Sequence, residues 1–172
     1  MERRTRARGE AHSRDRDRDP AGRARNARPR DAAGRPLPHD AEGVERLPED
    51  LVRTAEETVT HAQQLLDAGR PFHAHEVLEA AWKSADDGTR ELWRALAQLA
   101  VGLTHAQRGN ARGAVALLRR GADGVERWVG EPPAGLDLPG LVRHAADVAG
   151  RIEAGGTGAV APGELRPRLR RD

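Results

Sequence analysis

After Met1, the first 40 residues contain one large apolar side chain, Leu37. So little apolar surface cannot offset the entropy lost on ordering, and any fold must be built from residues further along the chain. A disordered tail is expected over residues 1–44. From about Gly155 the chain is again rich in Gly, Pro and Arg, and a second disordered tail is expected over 154–172. Charge divides along the same lines. Residues 1–36 carry 12 Arg against 6 acidic residues, and 162–172 carry 4 Arg against 2, while 37–161 holds 13 basic and 19 acidic residues. The overall charge of +2 therefore hides an acidic body between two basic arms. Such arms suit weak, sequence-independent and salt-sensitive contacts with acidic surfaces. Nucleic acid is not the expected partner, because one Phe, three Trp and no Tyr leave little from which to build a base-stacking platform.

A length of 172 residues suggests about one domain. With no cysteine, disulfides, thiolate metal sites and a cysteine nucleophile are excluded. The opening MERRTRARGE has no apolar run behind it, so it does not read as a secretory signal. No stretch approaches the roughly 18 unbroken apolar residues of a membrane span, and the expected location is the cytoplasm.

Residues 45–153 read as an all-α, antiparallel bundle of four to five helices. Pro48, followed by Glu49 and Asp50, marks the expected first start. Leu51, Ala55, Val59, Ala62 and Leu66 then recur at helical spacing as far as Gly69. A second helix is expected from about Pro71 to Ala85, and a third between Thr89 as cap and Gly109. Asn110 caps a fourth, which runs toward Trp128, and a fifth spans about Pro139 to Glu153. Short connections between them imply antiparallel neighbours.

The second and third helices carry polar side chains where apolar ones are expected. At about 100° per residue, Leu78, Trp82, His75, Glu79 and Phe72 follow one another round an arc of the second helix, which makes Trp82 a core candidate. His75 and Glu79 are four apart and share a face. The third helix is apolar round most of its circumference, through Leu92, Ala95, Leu96, Leu99, Ala100 and Leu103, and so belongs at the centre. It nevertheless bears the stripe Glu91, Arg94, Gln98 and His105. The simplest arrangement turns Gln98 and His105 toward His75 and Glu79. His73 reads as a solvated neighbour, and His61 and His144 sit near outer faces.

Two arrangements would satisfy this cluster. In the first, Glu79, Gln98 and the two histidines form a buried hydrogen-bond network that sets core register. The chain is then a non-enzymatic helical interaction module, with a homodimer as a candidate assembly. In the second, His75, Glu79 and His105 bind a divalent metal such as Zn, Mn or Fe. Glu76 is then the candidate general base, and Arg94 and Gln98 orient the ligand. A serine or cysteine triad is excluded by inventory, since Ser13 and Ser84 are the only serines. A phosphate loop and the HExxH zinc motif are absent.

The segments RPFHAHEVLEAAW and RELWRALAQLAVGLTHAQRGNARGAVALLRRG resemble the domain of unknown function 309 family. His75, Glu79 and Trp82 match its HxxxExxW signature. The match continues through Glu76, Arg90, Gln98, His105, Gly109 and Asn110, and covers about residues 65–121. Where that family often has Gly-Pro before the arginine, this chain has Asp87-Gly88-Thr89. The resemblance implies an all-helical fold and the label of a metal-dependent hydrolase, with no assigned reaction.

Overall fold

In the computed structural model of the chain, the described residues are 28–31, 34–38, 40–43 and 53–171. They form an all-α fold with five α-helices in chain order: α1 (Ala55–Asp67), α2 (Pro71–Ser84), α3 (Arg90–Gln107), α4 (Ala111–Glu126) and α5 (Leu138–Gly155). Each helix packs on its sequence neighbour over α1 to α4, and α5 closes against α4. As the spacing of its leucines predicts, α3 is central: Leu92, Leu96, Leu99 and Leu103 are all buried, and eleven of its 18 residues are buried. The α3–α4 approach is close enough to demand glycine. A β-carbon on Gly102 would lie 2.8 Å from Leu118 Cγ and 2.9 Å from Leu118 N.

Helix ends follow local chemistry, not always at the expected residue. The expected start at Pro48 lies outside the described residues, and α1 begins at Ala55. There Thr54 N donates to Glu57 Oε2 and Glu57 N to Thr54 Oγ1, a reciprocal capping box. Thr89 does not cap α3 with its side chain. Its N and its hydroxyl both donate to Asp86 Oδ1 at 3.1 Å, so the preceding turn is organised by Asp86. Asn110 does cap α4, its side chain accepting from Gly113 N at 2.9 Å.

Part of each expected tail lies among the described residues. Residues 156–171 lie against the helices. Val160 and Leu169 are only 5% and 3% exposed, and Gln63 on α1 holds the returning backbone at two points. Its Nε2 donates to Pro167 O at 3.1 Å, and its Oε1 accepts from Leu169 N at 2.7 Å. Arg170 adds a bond to Ala134 O, and Asp137 N donates to Leu169 O. Thin as its apolar content is, this segment buries Val160 and Leu169 and packs Leu165 partly against the core. Most of the expected N-terminal tail lies outside the described residues. Within 28–43, Arg30 bridges to Pro36 and Leu37 N donates to Pro29 O at 2.7 Å. Gly34, at φ 73°, lies directly on the Phe72 ring, where a β-carbon would sit 2.1 Å from Cγ.

Candidate functional site

Two flanks of α2 differ. The flank of Ala74, Val77 and Leu78 is buried. The flank of His75, Glu79 and Trp82 stays partly open, with side-chain exposures of 22% for His75 and 33% for Glu79, and Trp82 meets α3 through the Arg94 guanidinium. Trp82 is half-buried at the edge of the core, so its expected place inside is a correction. Trp93 on α3, 4% exposed, is the buried indole.

The residues of the expected cluster each have their own surroundings on α2 and α3. His75 Nε2 lies 4.0 Å from Glu79 Oε2, an ion-pair distance beyond hydrogen-bond reach, while Lys83 Nζ sits closer to Glu79 Oε1, at 3.2 Å. Burial lowers the His75 pKa, with Lys83 adding to the effect and Glu79 opposing it. His75 Nδ1 is buried without a hydrogen-bond partner. Gln98 on α3 is half-buried. Arg94 has its guanidinium 5.8 Å from the Trp82 ring and donates to Glu91 Oε2 at 3.2 Å. Glu76, the candidate base, is half-buried one step round the helix.

His105 serves a different purpose. Its Nδ1 is 2.8 Å from Asn110 Nδ2, and Asn110 Oδ1 already accepts from Gly113 N. The amide therefore donates to Nδ1, which places the imidazole proton on Nε2. His105 and Asn110 thus brace the α3–α4 corner. Among the described residues, no group of three or more His, Cys, Asp or Glu side chains is arranged to hold a metal ion. The contacts that the described residues make are His75 with Glu79, Arg94 over Trp82, and His105 with Asn110.

The sequence also misjudged the other histidines. His73 is buried, at 3% exposure, and its Nδ1 has no hydrogen-bond partner. His61 and His144 are half-buried, and His144 Nε2 is likewise buried without a partner. Burial, with Arg70 and Arg30 nearby, pushes the His73 pKa down to about 4, and Asp31 opposes them. An unfolded chain takes this proton near pH 6.5. The folded chain then binds fewer protons between those values, so stability present above pH 6.5 is lost as pH falls toward about 4. Denaturant melts across that window should show the loss, and His73→Phe should flatten it.

One comparison with known proteins bears on these residues. A family model described as a domain of unknown function, DUF309, matches residues 59–117, about a third of the chain. This stretch is similar to the DUF309 family. No curated protein and no solved structure matches the chain. The DUF309 match begins inside α1, takes in all of α2 and α3, and ends inside α4. It therefore contains every residue of the α2–α3 seam and the His105–Asn110 brace. No helix among the described residues is long and apolar enough to cross a membrane.

Proposed function

We propose that the chain is a non-enzymatic helical interaction module, and that the partly open seam of α2 and α3 meets a second copy of the chain. The observation that carries this reading is the half-buried Trp82 with the Arg94 guanidinium over its ring. Trp and Arg dominate the energetics of protein interfaces, because each offers a large flat surface and a charged or polar edge. Beside them Glu79 and Lys83 supply opposite charges on one helix face, a pattern that a two-fold partner can complement. The segregation of an acidic body from basic arms adds weak attraction between copies.

The metal-dependent hydrolase implied by the family resemblance has less support. A catalytic zinc site draws on about three protein ligands and an open position. Here the nearest donor pair is His75 and Glu79, and His105 is bonded to Asn110. Sedimentation of the full chain tests both readings when combined with elemental analysis. The expected result is a concentration-dependent dimer that Trp82→Ala with Arg94→Ala converts to a folded monomer. A chain that stays monomeric at all concentrations, or a dimer indifferent to both substitutions, would refute the seam as interface. Near-stoichiometric Zn, Mn or Fe that His75→Ala and His105→Ala both lose would instead establish the metal reading.

A further inference from the structure

The first turn of α2 lacks the side-chain cap that α1, α4 and α5 possess, and unlike α3, which also has no such cap, it carries no acidic residue there. Thr54 with Glu57, Asn110 and Asp137 each supply an acceptor at the starts of α1, α4 and α5. At α2, Arg70 stands in the cap position with no side-chain bond to the helix, and no acidic residue occupies the first turn. Pro71 has no amide hydrogen, so Phe72 and His73 present the leading N–H groups of this helix. The positive end of its dipole is uncompensated there.

The side chains around it deepen the deficit of negative charge. The turn at residues 28–43 brings the Arg30 guanidinium to 4.8 Å from the Phe72 ring centroid, and the end of α3 brings Arg108 to 5.4 Å. Arg30 and Arg35 together depress the Arg108 pKa, after burial, while Asp31 opposes them. Asp31 is already engaged, accepting from Arg35 N at 2.7 Å. Independent of these charges, two buried nitrogens at the turn have no hydrogen-bond partner: Nε of Arg70 and Nδ1 of His73. His73 is only 3% exposed. A buried guanidinium nitrogen and a buried imidazole nitrogen left unmatched beside free helix amides form the donor half of an anion site.

We propose that the first turn of α2, with Arg70 and His73, binds a small oxyanion of the phosphate type, either free phosphate or a phosphomonoester. Helix amides aim at such an anion along the dipole. The Arg70 fork meets two of its oxygens in parallel, a geometry suited to phosphate and not available to lysine. Neutral His73 donates from Nδ1. Arg30 and Arg108 supply field, and Phe72 separates this position from the Glu79–Trp82 seam. The proposal therefore stands apart from self-association.

The test titrates the full chain with inorganic phosphate and, separately, with ribose 5-phosphate, at ionic strength matched by chloride. Calorimetry and backbone amide resonances provide the readouts. Saturable binding is expected, with the Phe72 and His73 amides shifting along the same curve. Arg70 is half-buried, so Arg70→Gln should leave the fold intact and weaken binding about tenfold or more, the usual loss for a charge-assisted bond. Arg70→Lys should recover only part of it. Tighter binding of ribose 5-phosphate would identify a phosphomonoester as the ligand, and equal or weaker binding would identify free phosphate. No saturable binding of either probe would overturn the proposal. So would a response that chloride reproduces, resonance shifts remote from α2's first turn, or affinity unchanged in Arg70→Gln.

Discussion

Trp93→Ala is expected to destabilise the chain by about 3–5 kcal/mol, the range for removing a fully buried indole that its surroundings cannot refill. Trp93 lies 4% exposed on the central helix, within the cluster formed by α2, α3 and α4. Trp82→Ala should cost markedly less, because that indole is only half-buried and loses less apolar area from water. Urea unfolding of the two variants decides the matter through their midpoints, provided the slopes agree. Equal losses, or a larger one for Trp82, would mean that the α2 seam is interior.

Leu96→Ala should cost about 2–5 kcal/mol and lower the melting temperature by roughly 10–20 °C for a domain of this size. Leu96 is 2% exposed and sits one turn from Trp93 and Leu99 on the helix that the other elements surround. Little can relax into the space. On its far side α3 is locked to α4, where Gly102 admits Leu118 with no room for a β-carbon. A loss below about 1 kcal/mol, the level of an ordinary surface change, would show that α3 is peripheral. It would also remove the reason for treating its polar stripe as unusual.

Much of this protein was legible in local chemistry. Apolar residues at helical spacing, bounded by Gly69, Gly88 and Gly109, are enough to order five helices, because helix formation depends on neighbours within about one turn. Asn110 is recognisable as a cap for the same reason, since its acceptor and the Gly113 N–H it serves lie three residues apart. The family signature is equally local, with His75, Glu79 and Trp82 inside two turns of α2. The sequence thus determined the helical class, the centrality of α3 and the likeness to DUF309 over residues 59–117.

Which flank of α2 turns inward was decided elsewhere. Its arc runs from Ala74 and Leu78 through Trp82, His75 and Glu79 to Phe72, with large apolar residues at both edges, so periodicity alone permits either edge to be buried. Docking between α1 and α3 selects Ala74, Val77 and Leu78. That choice leaves Trp82 at the rim and His75 and Glu79 partly open, while His105 lies against Asn110. The packed segments at both ends also depend on distant partners: Gln63 meets Pro167 and Leu169 across more than a hundred residues, and Gly34 meets Phe72. A composition rich in Arg, Gly and Pro conceals such contacts, because a segment needs only a few well-placed side chains when the surface that receives them is already formed. That surface exists only after the helices have packed.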